Sequence, residues 1–285
     1  MSIIEEAVRK TAARHAGREV ASAGTTVVPR ERPHIRRVAA TPIDTSQVRR
    51  FQNHVLDQQV LEDHLLLPRI TDAAALRAYK ILRTRMLRRL EAHQWRSFAV
   101  TGITAGEGKT LTAINLAIAM AQDVSTWVFL VDLDLQRPKV AEYLGMNAVR
   151  GKQGLSDFLS GEANFESVTY CPGIERLAVI PNFQPQAHAS EWLTSPRMSE
   201  LLQTLEAETP RRIMIFDMPP VLAADDVLAF APQIDGLLLV VAEGTTDRDS
   251  LRSAKEVLAE MNLLGVVLNR SAERNDNAYY SYGKP

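Results

Sequence analysis

The chain has 285 residues, 46% of them hydrophobic and 24% charged, and its net charge at pH 7 is −1. This composition is typical of a soluble globular protein, and the longest apolar segments, such as Leu237 to Ala242, are far shorter than the roughly 18 residues that predict a membrane-spanning helix. The single cysteine, Cys171, cannot form an internal disulfide, and the six histidines lack the spacing of metal ligands. We therefore expect a cytoplasmic chain without a disulfide framework or a histidine-based metal site.

The first 70 residues predict a basic N-terminal arm and linker that is mostly disordered. Residues 1–50 carry ten Lys and Arg against five Asp and Glu, whereas the rest of the chain has a net charge of −6. Helical spacing of apolar residues over 2–16 and 55–67 predicts short helices, and no signal peptide is expected. Such an arm can contact anionic lipid or an acidic partner, or it can remain a solvated tail.

A folded α/β domain is predicted over residues 71–272. A long amphipathic helix begins near Asp72, with basic residues on its polar side at Arg77, Lys80, Arg85, Arg88 and Arg89. Strands are predicted at Ser97–Thr101, Trp127–Asp132, Leu177–Ile180, Arg212–Asp217, Gly236–Ala242 and Gly265–Leu268. Helices are predicted at 109–122, 154–160, 190–206 and 247–261, with a short one after Pro138. This alternation predicts a mostly parallel sheet with helices on both faces.

The segment TGITAGEGKT, from Thr101 to Thr110, has the layout of a phosphate-binding P-loop. It follows an apolar strand, contains Gly106 and Gly108, and leads into a helical pattern. Backbone N–H groups of such a loop surround phosphate oxygens. Lys109 can neutralise the terminal phosphates, and the Thr110 hydroxyl can bind Mg²⁺. The pattern is imperfect, because Ile103 stands where the motif has its first glycine.

Carboxylates follow two of the predicted strands. The segment VFLVDLDLQRP contains Asp132 and Asp134, and IMIFDMPP contains Asp217. Because ligands of parallel sheets bind beyond the carboxyl ends of the strands, we expect these acids to lie near the P-loop. One or two carboxylates that orient a hydrated Mg²⁺ are typical of nucleotide sites.

The last residues, 273–285, predict a tail of a different kind. Three of the six tyrosines in the chain, Tyr279, Tyr280 and Tyr282, fall within AYYSYGKP, beyond the last strand. Tyrosines at an exposed terminus are suitable phosphoacceptors.

Together, TGITAGEGKT, DLDLQRP, DMPPVLAADD and GVVLNR resemble the bacterial tyrosine kinases (BY-kinases) of polysaccharide export. The opening MSIIEEA is similar to that of exopolysaccharide and exosortase-associated autokinases. The resemblance implies a P-loop NTPase fold of the MinD/ParA-like type, with ATP and Mg²⁺ as cofactors. It implies that nucleotide is bound by Thr104, Ala105, Gly106, Glu107, Gly108, Lys109, Thr110, Leu111 and, near the adenine, Asn269. It further implies a metal site of Thr110, Asp132 and Asp217, and a catalytic set of Lys109, Asp132, Asp134 and Asp217.

The family resemblance also implies a function and partners. The expected activity is ATP-dependent autophosphorylation of the tail tyrosines by a neighbouring protomer, which regulates exopolysaccharide or capsule export. Expected partners are a Wzz-like membrane co-polymerase, which holds the chain at the inner face of the cell membrane, and a cognate phosphatase. Nucleic-acid binding is not expected, since the body is acidic.

Two other functions stay open from the sequence. An ATP-binding regulatory switch with little kinase activity is suggested by departures from the family pattern: Gln136 replaces an arginine, and Phe183 occupies a glycine position. An octameric ring also loses an acid, since its helix motif aligns as Arg77, Lys80 and Arg83. A ParA/MinD-like ATPase is the third candidate, although Thr104 stands where those proteins carry an additional lysine.

Overall fold

The computed structural model describes residues 50–146 and 151–271, which build one mostly parallel sheet flanked by helices. Its strands are β1 (Gln52–Asn53), β2 (Ser97–Gly102), β3 (Trp127–Asp132), β4 (Tyr170–Cys171), β5 (Leu177–Ile180), β6 (Arg212–Asp217), β7 (Gly236–Ala242) and β8 (Leu263–Asn269). They are arranged in the order β1-β4-β5-β3-β6-β2-β7-β8. Neighbouring strands pair in parallel except β4 and β5, which meet antiparallel through Tyr170 and Val179.

The helices of the described residues cover both faces of this sheet. They are α1 (Gln58–Asp63), α2 (Ala73–His93), α3 (Lys109–Ala121), α4 (Val140–Tyr143), α5 (Leu155–Leu159), α6 (Phe165–Val168), α7 (Ala189–Leu193), α8 (Pro196–Glu208), α9 (Asp226–Phe230) and α10 (Arg248–Val257). Within this part of the chain, no helix combines the length and the apolar character needed to cross a membrane.

Two apolar cores lie on opposite faces of the sheet, because side chains alternate along each strand. In β3, Phe129 and Val131 join the core that contains Leu201 of α8. Val128 and Leu130 point the other way, into the core that α2 and α3 cover. Strands buried on both faces have nearly continuous apolar sequences, which is why they can be recognised without an alternating pattern.

The predicted α/β architecture is confirmed, with one change in the helices. The helix expected over 190–206 is two helices, α7 and α8. Ser195 separates them because its side chain accepts a hydrogen bond from the Met198 N–H, and Pro196, the first residue of α8, cannot donate to a preceding turn. The four short elements β1, β4, α6 and α9 were not predicted, since two to five residues carry no readable period.

Residues 51–70, which precede the domain boundary predicted at residue 71, form a strap whose apolar side chains pack on the domain. Phe51 joins one core, and the strap's other buried apolar side chains join the other: Leu56, Leu61, Leu66, Leu67 and Ile70. The buried Asn115 of α3 holds the strap, accepting from the Leu67 N–H at 2.8 Å and donating to the Leu65 carbonyl at 3.1 Å. The periodicity over 55–67 predicts the helix that α1 forms there, but it does not reveal that this segment packs against α3.

Candidate active site

The P-loop joins β2 to α3 and has the backbone that its glycines permit. Gly106 and Gly108 have φ angles of +83° and +88°, in the region that favours glycine. A Cβ atom on Gly108 would lie 2.2 Å from Nδ2 of Asn269, so a side chain is also excluded by contact. Because Gly108 precedes the first residue of α3, the N–H groups of the helix start are directed at the mouth of the loop.

Glu107 braces the loop from inside. Its side chain is 1% exposed, and its Oε2 accepts hydrogen bonds from the Ile103 N–H and, at 3.0 Å, from the Thr104 N–H. The Thr246 hydroxyl donates to Oε1 from the loop after β7. Ile103, the departure from the P-loop motif, is fully buried in a core. The sequence assigned Glu107 only to the nucleotide-binding stretch and gave no signal for Thr246, which lies 139 positions away.

Lys109 is held by a carboxylate in the described structure. Its Nζ lies 2.7 Å from Oδ2 of Asp134, and both side chains are largely buried. Burial alone would lower the pKa of Lys109, but Asp217, Asp134 and Asp132 more than offset it and raise this pKa above its ordinary value. The lysine is therefore firmly charged, as a phosphate ligand has to be.

Asp132 and Asp217 face each other at the carboxyl ends of β3 and β6, where they are register partners. Oδ2 of Asp132 accepts from the Lys139 N–H at 3.1 Å and the Val140 N–H at 3.0 Å. Its Oδ1 and both carboxylate oxygens of Asp217 are buried without a hydrogen-bond partner. Three buried oxygens without donors are unusual in a folded protein and indicate a site for a positively charged group.

The pKa values of both acids reflect this crowding. Burial, followed by the charge of Asp217, raises the pKa of Asp132 well above its usual range. Burial raises the pKa of Asp217 to about 6, although Lys109 and the nearby Thr110 hydroxyl favour the charged form. The described residues contain no group of three or more His, Cys, Asp or Glu arranged to hold a metal alone. The carboxylates therefore fit a cation that is coordinated partly by the protein and partly by the oxygens of a bound phosphate. They do not form a site that would hold a metal ion with protein ligands alone.

Other members of the predicted nucleotide set lie around this centre. Ala105 and Gly106 form the exposed rim of the loop, Thr110 is buried in the first turn of α3, and Leu111 is half-buried beside it. The Thr104 hydroxyl donates to Oε1 of Glu107 at 3.3 Å. The structure thus brings the residues from 104 to 111 together with the three aspartates.

Side chains at the end of β8 donate hydrogen bonds to the backbone of the P-loop. Asn269 donates through Nδ2 to the Glu107 carbonyl at 2.8 Å, and Arg270 donates through Nη2 to the Gly106 carbonyl at 2.7 Å. Arg270 was not predicted, although its place after Asn269 in GVVLNR put it within reach. The tail tyrosines Tyr279, Tyr280 and Tyr282 lie outside the described residues.

The two departures from the family pattern have different surroundings. Gln136 donates through Nε2 to Oδ2 of Asp226 at a long 3.4 Å. Asp226 is 1% exposed, and burial followed by the charge of Asp225 raises its pKa. Phe183, in contrast, packs edge-on against Tyr170 with ring centroids 6.1 Å apart, so it serves the core.

Comparison with known proteins places the chain among nucleotide-binding domains. Residues 98–282 match the CobQ/CobB/MinD/ParA nucleotide binding domain. The chain is 32% identical over 208 residues to "Tyrosine-protein kinase YwqD" of Bacillus subtilis. The aligned region covers 72% of this chain and 85% of YwqD. It is 30% identical over 220 residues to "Tyrosine-protein kinase wzc" of Salmonella typhi, but it spans only 29% of that longer protein.

A solved structure with the same fold is the kinase domain of Escherichia coli tyrosine kinase ETK. The TM-score is 0.63 with 24% sequence identity, and the match covers 82% of this chain and 94% of the ETK domain. At this identity the likeness supports the fold alone. The two chains therefore share the overall fold.

Proposed function

The chain belongs to the CobQ/CobB/MinD/ParA nucleotide-binding family and, within it, to the bacterial tyrosine kinases, and we propose that it is an ATP-dependent protein-tyrosine autokinase. Its substrate is ATP, and its acceptors are the tail tyrosines Tyr279, Tyr280 and Tyr282. By analogy with named relatives such as "Succinoglycan biosynthesis transport protein ExoP" of Rhizobium meliloti, the biological role is control of exopolysaccharide production.

One observation carries the proposal: a charged lysine and three buried, partnerless carboxylate oxygens lie together at the mouth of a P-loop. Neither carboxylate oxygen of Asp217 has a hydrogen-bond partner in the described residues, so its environment fits a divalent cation and the phosphates that accompany it. Thr110, Asp132 and Asp217 are the residues that would hold Mg²⁺. When bound there, Mg²⁺ would neutralise charge on the phosphate oxygens during transfer.

The chain's own residues position the triphosphate. The P-loop N–H groups and the first turn of α3 bind phosphate oxygens, and Glu107 keeps the loop in that conformation. Lys109 exchanges Asp134 for the β- and γ-phosphates. In the transfer step, the tyrosine oxygen forms a bond to the γ-phosphorus while the bond from that phosphorus to the bridging oxygen breaks, and ADP leaves.

The acceptor tyrosine has to lose its proton during the transfer. A free tyrosine has a pKa of about 10, so a carboxylate near the γ-phosphate accelerates the reaction by accepting the proton. Asp134 is released when Lys109 turns to phosphate, which makes it the better candidate, with Asp132 as the second. Asp217 would hold the metal ion.

The direct test uses the purified full-length chain with MgATP and mass spectrometry of the tail. We expect phosphate on Tyr279, Tyr280 or Tyr282, and loss of at least 100-fold in the rate with Lys109→Met, because the lysine neutralises the transferred group. The exposed Lys255→Met serves as the matched control and should retain the wild-type rate. Unlabelled tyrosines in the wild-type chain, with nucleotide bound, would contradict the proposal.

A mixing experiment separates transfer within one chain from transfer between chains. Tyr279 lies ten residues after Asn269 in the chain. An extended segment of that length spans at most about 33 to 36 Å, so its length allows both routes. We propose transfer between protomers, as the family resemblance implies. Lys109→Met protein should then become labelled when mixed with active protein that carries Phe at 279, 280 and 282. No labelling of the Lys109→Met chain would assign the reaction to a single chain.

A regulatory ATP switch is the second candidate, and the Gln136 contact favours it. A neutral amide 3.4 Å from the buried Asp226 is a weaker tie between the β3 end and α9 than an arginine would make. Binding of ATP without tyrosine labelling, even with a membrane partner present, would support this switch.

For localisation, we propose that a Wzz-like co-polymerase recruits the chain to the inner face of the membrane and activates it, and that a phosphatase reverses the reaction.

A further inference from the structure

A cluster of titratable side chains lies where the strap begins. Nζ of Lys152 is 2.9 Å from Nδ1 of His54, which follows β1, and 5.4 Å from the centroid of the Tyr170 ring in β4. We call Lys152, His54, Tyr170 and the adjacent Cys171 the Lys152 cluster. Three strands, β5, β3 and β6, separate β4 from β2 and its P-loop. The cluster therefore does not belong to the candidate active site.

Lys152 differs from the P-loop lysine in its surroundings. Lys109 is paired with Asp134, and the neighbouring carboxylates raise its pKa. The Lys152 side chain is half-buried and has no carboxylate partner among the described residues, and burial lowers its pKa below the ordinary value. The Tyr170 ring favours the ammonium form, but an aromatic ring offsets the charge less than a carboxylate does. Lys152 therefore loses its proton more easily than Lys109.

His54 supplies a neutral acceptor for this amine. Burial, followed by the charge of Lys152, holds the pKa of His54 below its ordinary value, although the Leu144 carbonyl favours the charged ring. Because the ammonium group of Lys152 can only donate, Nδ1 of the neutral imidazole is the acceptor in their contact. A neutral imidazole in hydrogen-bond contact with an amine is placed to take up its proton.

The other nucleophiles of the Lys152 cluster are less reactive. Burial raises the pKa of the Cys171 thiol to about 11, so its thiolate is scarce at neutral pH. Burial also raises the pKa of Tyr170, whose hydroxyl donates to the Gln153 carbonyl at 2.7 Å. Among these side chains, an electrophile that reaches the cluster therefore meets the Lys152 amine as the available nucleophile.

We propose that Lys152 is a covalent acylation site for small acyl phosphates, with His54 as the proton acceptor. The lone pair of Nζ attacks the acyl carbonyl carbon and forms a C–N bond, while the bond from that carbon to the phosphate oxygen breaks. Inorganic phosphate leaves with the electron pair. The proton released from Nζ passes to Nδ1 of His54 and then to the phosphate or to water. A small donor fits this site, because the amine is half-buried.

Acylation has a local structural consequence. The product amide has no charge to place over Tyr170, and its acyl group needs space beside His54. The His54 and Leu56 N–H groups donate to the carbonyls of Cys171 and Pro172 at 3.0 and 3.2 Å, which attaches the start of the strap to β4. We expect acylation to loosen this attachment. The reaction uses no nucleotide, so the inference does not depend on the proposed kinase activity.

The test incubates the full-length chain with acetyl phosphate near pH 7.5, without ATP, and follows each lysine by mass spectrometry. Lys80, exposed on α2, is the internal reference. We expect Lys152 to be acetylated at least about fivefold faster than Lys80. In the acetylated chain, the amides of His54 and Leu56 should exchange hydrogen faster than in the unmodified chain. Equal acetylation rates at the two lysines would overturn the proposal.

The variant His54→Gln tests the proton acceptor. Glutamine keeps an oxygen that accepts from Lys152 but cannot take up its proton, so acetylation of Lys152 should slow about fivefold or more while that of Lys80 stays unchanged. The matched control is His188→Gln, because the His188 side chain is 79% exposed, and it should leave both rates unchanged. Circular dichroism melting verifies folding, and the wild-type comparison decides the proposal even if His54→Gln does not fold. Wild-type acetylation of Lys152 in folded His54→Gln would overturn the role of His54.

Discussion

Glu107 holds the P-loop through hydrogen bonds to both of its carboxylate oxygens. Glu107→Gln keeps one oxygen for the two N–H donors but loses the charge and the second acceptor, so we expect the free energy of unfolding to fall by about 1 to 3 kcal/mol and MgATP to bind more weakly. Urea unfolding and calorimetric titration measure the two effects. The exposed Glu162→Gln should change stability by less than about 0.5 kcal/mol. Equal unfolding midpoints for both variants would contradict the role of Glu107.

Asp217 makes stability depend on pH. Its pKa in the folded chain is about 6, above the value of about 3.9 for an unfolded aspartate, so folding favours its protonated form. The stability that this provides is complete below about pH 4 and is lost as pH rises through 6. Without Mg²⁺ and nucleotide, we expect Asp217→Asn to be more stable than the wild type at pH 7, by up to about 3 kcal/mol, and similar to it at pH 4.

Thermal melting in EDTA across this pH range measures the effect. The exposed Asp249→Asn provides a matched control on α10 and should follow the wild-type profile. If the difference in melting temperature between Asp217→Asn and the wild type stayed constant from pH 4 to 7, the Asp217 carboxylate would not change its charge in this range, which would contradict the prediction.

At the scale of elements, the strap of residues 51–70 depends on Asn115. Leucine at this position has a similar size but cannot bond to Leu67 or Leu65, so Asn115→Leu leaves a buried N–H and a carbonyl without partners. We expect a loss of about 1 to 3 kcal/mol and faster tryptic cleavage after the exposed Arg69. The exposed Gln203→Leu of α8 should leave both the unfolding midpoint and the cleavage rate unchanged. Cleavage at the wild-type rate in Asn115→Leu would show that apolar burial alone retains the strap.

The strap and the sheet also show which elements a sequence can reveal. Six strands were predictable because burial on both faces produces apolar runs, such as VFLV in β3. Leu56, Leu61 and Leu66 are also buried, but their partners are distant in the chain, so the local helical spacing does not reveal their burial. Contact with α3, rather than local sequence, decides that they fold.

At the scale of the whole molecule, residues of the candidate site were predictable where a suitable side chain follows directly after a strand of the parallel sheet. Asp132 and Asp217 end neighbouring strands of a parallel sheet, so the fold itself brings them together. Other contacts of the site join segments more than 100 residues apart. They are the hydrogen bonds from Asn269 and Arg270 to the P-loop backbone and from Thr246 to Glu107. No local pattern encodes such pairs, because they depend on how the loops at this edge meet.

Asp134 and the nucleotide phosphates compete for Lys109. The lysine is already paired with the Asp134 carboxylate, so part of the free energy of nucleotide binding is used to break that ion pair. Asp134→Asn should therefore bind MgATP about tenfold more tightly, equivalent to about 1.4 kcal/mol, while it transfers phosphate more slowly. Equilibrium titration beside a rate assay separates the two, and weaker binding by this variant would contradict the competition. Such a kinase retains less ATP at rest and exchanges ADP for ATP more readily between turnovers.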